Sequence, residues 1–479
     1  MRFHILLRYT GTVLLFEGVF LLISAAISFG FSDTAVLPLF YSFIITTLFG
    51  IFPIIFVPPT DKIQNKEGFV IVVTGWLLVC LVGIMPYVLW GGPFTLTNAW
   101  FESVSGFTTT GSSILNDIEA LPPGLLFWRS ATHWMGGIGI IVFMLAVLPS
   151  MGKAQMVLYR SEMSSLAMEN FKYRTRKTLH ILIYVYVGLT AAETLSLLFC
   201  GMNWFDAVTH SFGTIATGGF SPRNSSIASY ASVSVEIVIM VFMVLSGIHF
   251  ALLFLTITGA SLQIYRSSVV RTYLMIMGIG VLIVTLSIHG KQYENFLEAL
   301  RYGAFMVISL GTSTGFATAD TAFWSALAQL VMIFFTLQCA CAGSTSGGIK
   351  VDRIVIFWKG IGKRITQMKH PHAVITPKVD GTALNEDMIE SSALYIVLYM
   401  AIVFLSSILL STLGVDMLTA FTGSAATMGN VGPGFGMVGS MSNYSEIPEI
   451  GKWVLTADML LGRLEIFGLA LMFLLRSWR

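Results

Sequence analysis

Four short runs of small residues hold the chemistry that this chain can do. They read SGFTTTGS (Ser105–Ser112), TIATGGFS (Thr214–Ser221), GTSTGFAT (Gly311–Thr318) and MGNVGPGF (Met428–Phe435). None contains a carboxylate, so a ring of acidic side chains is not their mechanism. Their shared resource is backbone carbonyl oxygen. Glycine accepts φ > 0 and lets successive carbonyls turn the same way. Carbonyls ringed about an axis can replace the hydration shell of a cation, and Thr hydroxyls add acceptors at the inner end. Such a ring favours a large, weakly hydrated monovalent cation over a divalent one. A single run supports only close helix packing. Four runs, each in the same place within a repeated unit, point to one shared site.

The elements that must position these runs are apolar helices. The chain has 479 residues, 55% of them hydrophobic and 11% charged, and a mean hydropathy of +0.80. Soluble domains carry about 25% charge. Apolar stretches of about 20 residues recur, each long enough to cross about 30 Å of hydrocarbon. The expected class is an all-α polytopic membrane protein. The net charge of +2 gives no reason to expect nucleic acid as a partner. Cys80, Cys200, Cys339 and Cys341 lie in apolar surroundings without a His cluster, so no metal site is expected. No nucleophile–base pair or phosphate loop stands out, which argues against an enzyme and against an organic cofactor.

Taken in order, residues 5–31 and 35–57 form a first pair of apolar segments, ended by Pro58-Pro59. A pattern then repeats: span, half-helix, small-residue run, span. Its spans fall at 68–90 and 124–149, then 179–201 and 232–262. They continue at 270–289 with a broken span from Phe323, and at 389–413 with 451–475. The half-helices are expected over Thr97–Thr110 and from Asn203, Asn295 and Asp416, each too short to cross a bilayer. The expected units are an N-terminal pair (1–60) and pore repeats over 61–160, 161–265, 266–380 and 381–479. Together they make ten transmembrane helices and four re-entrant loops around one pseudo-symmetric axis.

Charge sets the orientation. Lys153, Arg160, Lys172, Arg174, Arg176 and Lys177 crowd the 150–178 segment. Lys350, Arg353, Lys359, Lys363, Arg364, Lys369 and Lys378 crowd 350–378, and Arg266 and Arg271 join units two and three. These loops are expected in the cytoplasm, with both termini. The loops after the runs, which hold Asp117, Glu119, Asp320, Glu446 and Glu449, are expected outside. Each half-helix then descends inward with its C-terminal, partly negative end toward the axis.

The broken span is interrupted by GSTSGGIK, Gly343–Lys350. Glycine costs about 1 kcal/mol relative to Ala in a helix, and exposed backbone there must line protein or water. The expected role of Gly343, Ser344, Thr345, Ser346, Gly347, Gly348 and Lys350 is a mobile gate beneath the runs. Arg463 lies within the last apolar stretch, where a charge faces the interior or water. On the axis it would be an electrostatic barrier to a cation. Asp458 and Glu465 are poorly spaced to pair with it on one helix face. Glu102, Asp206 and His210, in the half-helices, are expected to brace the runs, His133 is expected to be a hydrogen-bonded packing residue, and Glu17 and Glu193 are further acids within spans.

Particular motifs carry a family resemblance: FTTTG (Phe107–Gly111), RSATHWMGG (Arg129–Gly137), ATGGFS (Ala216–Ser221), TSTGFAT (Thr312–Thr318), GSTSGGIK and GRLEIF (Gly462–Phe467). The chain resembles the Trk/Ktr/HKT superfamily of cation transporters over essentially its whole length, most closely the TrkH-type potassium-uptake branch. The resemblance implies potassium as the transported ion and one filter glycine per repeat, at Gly111, Gly219, Gly315 and Gly432. Gly218 is a neighbouring candidate that spacing leaves open. Thr110, Thr314 and Val431 precede the other three glycines and complete the expected filter. The resemblance also implies a gating loop at 343–350, a bacterial inner-membrane location, a homodimer with one pore per subunit, and a cytosolic nucleotide-binding regulatory ring of the TrkA type. A potassium symporter coupled to sodium or protons is the competing expectation.

Overall fold

The structure is a computed structural model that describes residues 2–58, 65–147, 171–259, 263–464 and 466. Lys153, Arg160, Glu465, Phe467 and the end of the last expected span lie outside the described residues, as does the boundary at 160.

Helices α1 (Phe3–Phe31) and α2 (Val36–Phe56) form an antiparallel pair. They meet closely: a Cβ on Gly11 would lie 2.7 Å from the Gly50 carbonyl oxygen. The opposite side of α2 presents Leu48, Phe49, Phe52, Ile55 and Phe56 outward, as a lipid-facing helix must. The first unit follows with α3 (Asn65–Val82), α4 (Met85–Trp90), α5 (Leu96–Phe107) and α6 (Pro123–Val147). The second has α7 (Phe171–Phe199), α8 (Trp204–Ile215), α9 (Val233–Ser246), α10 (Phe250–Ile257) and α11 (Gln263–Arg266). The third has α12 (Ser268–Ile288), α13 (Phe296–Gly311), α14 (Ala326–Leu337) and α15 (Val351–Lys369). The fourth has α16 (Glu386–Thr412), α17 (Met417–Met428) and α18 (Glu449–Arg463).

Six described stretches are long and apolar enough to cross a membrane: His4–Phe31, Val36–Phe56, Val70–Trp90, Leu179–Phe199, Ser268–Ile288 and Glu386–Thr412. The span expected over 232–262 is not one continuous helix. It is two helices, α9 and α10, bent by 108° at Gly247–His249. The cause is local. A Cβ on Gly247 would strike the Tyr273 hydroxyl, and the Gly247 carbonyl accepts the N–H of Cys341 at 3.0 Å. His249 then caps α10 by accepting the N–H of Ala251 at 3.1 Å.

The short helices α5, α8, α13 and α17 have 12, 12, 16 and 12 residues. At 1.5 Å per residue each falls short of a full crossing. Each starts at a capping side chain, Thr95, Asn203, Asn295 or Asp416, which accepts a first-turn N–H. Each also packs against the second helix of the preceding unit: α8 on α6, α13 on α9, α17 on α14, and α5 on α18. The chain therefore runs once around a closed ring, with the four short helices on its inner side.

Candidate ion site

All four runs leave their helices by one hydrogen-bonded device. Thr110, Gly218, Thr314 and Val431 donate their N–H groups five residues back, to Ser105, Gly213, Ser309 and Ala426, at 2.7–2.9 Å. Thr109, Thr217, Ser313 and Asn430 donate three residues back and sit at φ of 51–58°. This is the left-handed helix end in which glycine is usual. A β-branched Thr in that region is strained, and the sequence analysis did not single these residues out. Two of them have side-chain roles. Ser313 meets the loop below, and Asn430 donates to Thr110 Oγ1 at 3.0 Å.

Two residues further on, the backbone turns again. Gly111, Gly219, Gly315 and Gly432 have φ of +83°, +80°, +79° and +99°. Gly219, not Gly218, therefore keeps the register of the other three. Gly218 instead lies against the ring of His133. At the four positions a side chain would strike the carbonyl of the next run. A Cβ on Gly111 meets Gly218 O, one on Gly219 meets Thr314 O, and one on Gly315 meets Val431 O. One on Gly432 would be 2.7 Å from Thr110 O, which closes the circle. Glycine is required here for close approach as much as for φ.

The fourth run departs from the others. The Gly432 carbonyl accepts the Tyr444 hydroxyl at 2.7 Å and Ser112 Oγ at 3.2 Å. Thr hydroxyl pairs exist only in runs one and three, Thr108 with Thr110 and Thr312 with Thr314, each at 2.8 Å. The four glycines line one cavity of about 240 Å³, whose lining also includes the polar side chains of Asn116, Asn224, Ser440 and Asn443. Beyond it, Asp117 accepts the Asn224 side-chain amide at 2.9 Å. That bond, with the N–H groups of Ala120 and Glu119, holds the Asp117 carboxyl below the usual range.

Beneath the runs lies the segment 343–350. The strands β1 (Gln338–Cys339) and β2 (Ile349–Lys350) pair in parallel and pinch it into a closed loop. This loop is tied to three units directly and to the first through Arg463. Arg463 links it to the first, donating to Thr345 O at 2.6 Å and to Gly136 O at 3.1 Å. Thr345 Oγ1 donates to Ile215 O of the second at 2.9 Å. In the third, Ser313 Oγ bonds Ser346 Oγ at 2.8 Å and accepts the Gly347 N–H at 3.1 Å. A Cβ on Gly347 would lie 2.5 Å from Gly429 O of the fourth. Lys350 is buried and donates to Ser346 O, so it is part of the loop. Arg463 is 1% exposed. Its acidic neighbour Asp458 accepts Ser406 Oγ at 2.8 Å instead.

The expected braces are also in place. Glu102 pairs with Arg129 at 2.7 Å, and Asp206 with Arg223 at 2.7 Å. His210 bridges Asp206 O and Ser221 Oγ at 2.7 and 3.0 Å. An unexpected one, Glu236 with Arg301 at 2.6 Å, ties α9 to α13. Glu17 and Glu193 are buried within the helix packing. Among the described residues no His/Cys/Asp/Glu group of metal-holding geometry occurs.

The family model TrkH, described as a cation transport protein, matches residues 39–477. The chain belongs to the TrkH family. This TrkH-family chain is 37% identical over 422 residues to the Trk system potassium uptake protein TrkH of Escherichia coli K12, covering 87% of each. It is 32% identical to the TrkH of Vibrio parahaemolyticus over the whole of both chains. The crystal structure of the potassium transporter TrkH from Vibrio parahaemolyticus superposes with a TM-score of 0.91, at 30% identity and full coverage of both chains. The chain is thus a multi-pass membrane cation transporter and not an enzyme.

Proposed function

We propose that this chain takes up potassium through a selectivity filter built from the four runs. The observation that carries the reading is the closed circle of carbonyls, each packed against the glycine of the preceding run. The filter residues are Thr110 and Gly111, Gly218 and Gly219, Thr314 and Gly315, and Val431 and Gly432. The carbonyls substitute for water around the ion, and the C-terminal ends of four half-helices offset its desolvation. Entry is driven by the membrane potential, worth about 2.3 kcal/mol per charge per 100 mV.

In this reading the chain forms ten spans and four re-entrant loops in a bacterial inner membrane, with both termini inside. The units are 1–60, 61–160, 161–265, 266–380 and 381–479. The loop 343–350 is the gate: it sits across the inner end of all four runs, and Arg463 holds it there with a positive charge. The names of the relatives, which call them parts of a Trk system, support a separate regulatory component. We take it to be a cytosolic nucleotide-binding ring of the TrkA type, acting on a homodimer.

Cation flux in proteoliposomes tests the reading. Potassium and rubidium should pass well ahead of sodium, and flux should reverse with the potassium gradient at fixed sodium and pH. Gly315→Ser, whose side chain would strike Val431 O, should weaken the potassium preference. Flux that follows the sodium or proton gradient instead would establish a symporter.

A further inference from the structure

We propose that Arg129 is a positioning residue for ion selectivity, because one guanidinium fixes the outer ends of the first and second runs to each other. The inference rests on the filter reading above and adds to it the element that holds two of the four quarters in register.

Arg129 and His133 lie four residues apart on α6 and so share one face, one turn apart. Between them sits Phe220, the residue after Gly219. The guanidinium is 4.0 Å from the centroid of its ring, and the His133 ring stacks on it at 4.1 Å and 18°. Arg129 also donates to the Ser221 carbonyl at 3.3 Å. The second run is thereby gripped at its exit by side chains of the first unit.

The other edge of the same guanidinium serves the first run. Arg129 Nε and Nη2 reach Glu102 Oε1, both at 2.7 Å. Glu102 in turn accepts Ser113 Oγ at 3.0 Å and the N–H of Ile114 at 3.2 Å, two and three residues past Gly111. Both charged side chains are 1% exposed or less. A buried pair is costly to maintain compared with apolar packing. Its retention here fits a demand for fixed geometry next to the carbonyl circle.

The arrangement suits arginine alone. Its planar fork donates to a carboxylate and a carbonyl while its face stacks on an aromatic ring; an ammonium cannot do all three. The third and fourth runs are held more simply. Ser309 Oγ donates to Phe316 O at 2.7 Å, and the N–H of Phe435 donates to Thr422 Oγ1 at 2.9 Å. The charges of Glu102 and Arg129 cancel, so the pair shapes the filter without placing net charge beside it. Arg129→Lys keeps that cancellation and removes only the fork and the stacking.

The test is the potassium-over-sodium preference in proteoliposomes of Arg129→Lys and Phe220→Leu, with Gly315→Ser as reference. Arg129→Lys should lower the preference roughly three- to tenfold, the scale of one lost ordinary hydrogen bond. Phe220→Leu, which leaves the ion pair, should shift it the same way. A merely structural role would change protein yield and total flux but not the ratio. An unchanged ratio in Arg129→Lys overturns the inference. If that variant does not assemble, an unchanged ratio in Phe220→Leu overturns it. If Gly315→Ser is also unchanged, the filter reading itself falls, and this inference with it.

Discussion

Arg463 donates to the carbonyl of Thr345 at 2.6 Å, so the last described helix and the loop below the filter are joined by one buried hydrogen bond. The same guanidinium reaches Gly136 O on α6. It therefore anchors the loop to the wall and, in the proposed reading, also places a charge near the ion path. Removing it weakens both barriers. Arg463→Ala should raise potassium flux by roughly 10- to 150-fold, since one charge-assisted hydrogen bond is worth about 1.5–3 kcal/mol. Potassium uptake in a transport-deficient host, normalised to protein in the membrane, measures this. Reduced flux at normal protein amount would refute it.

The carbonyl circle predicts an order among glycine substitutions. A Cβ on Gly219 or Gly315 strikes the next carbonyl harder than one on Gly432, which stands off at 2.7 Å. Gly219→Ala and Gly315→Ala should lose more potassium preference than Gly432→Ala. Rubidium-to-sodium flux ratios of the three variants give the comparison. A larger loss in Gly432→Ala would contradict the ordering.

The Glu236–Arg301 pair should matter for stability and not for ion choice. Glu236 is 2% exposed in its side chain and holds α13 at the third unit. Arg301 is 25% exposed and stays partly solvated, so losing its carboxylate costs about 1.5–3 kcal/mol, the scale of a charge-assisted hydrogen bond. Glu236→Ala should lower the thermal midpoint in detergent by several degrees, with an unaltered flux ratio. An unchanged midpoint would show that the pair contributes nothing.

The outer loops carry a pH-dependent tie. Asn224 donates to Asp117, whose carboxyl is held below the ordinary value near 3.9. A depressed folded pKa gives stability that is complete above the unfolded value and lost as pH falls through the folded one. Protection of the 223–226 loop from added protease should thus be constant from neutral pH down to about 4 and fall only below it. In Asp117→Asn the acid-dependent step should vanish. Its persistence would assign the step to another group.

Much of this was legible in the sequence. Asn203, Asn295 and Asp416 marked the starts of three short helices because a capping side chain is a local signal, readable without the fold. The resemblance named Gly111, Gly315 and Gly432, and all three have positive φ, although the fourth run departs most from the Thr-rich pattern of the others. Gly218 and Gly219 could not be separated by spacing. Their difference lies in φ and in the His133 ring, which arrives from another unit. The bend at Gly247–His249 was hidden for the same reason. The run is interrupted there by Ser246, Gly247 and His249, but the loop at Cys341–Gly343 and the Tyr273 hydroxyl, which set the turn, come from distant segments. Thr109 and Thr217 gave no signal, because a β-branched residue at positive φ runs against local preference. The partners of Arg463 are carbonyls, which no residue type announces.

The helix order, in which each short helix leans on the unit before it and α5 on α18, has a genetic corollary. A pore assembled from four identical subunits receives every substitution four times. Here the ring is one polypeptide, so each change enters once, at a known bearing. The proposed filter and gate can therefore be altered by single-dose asymmetry, one quarter at a time, without forced concatemers or mixed assemblies.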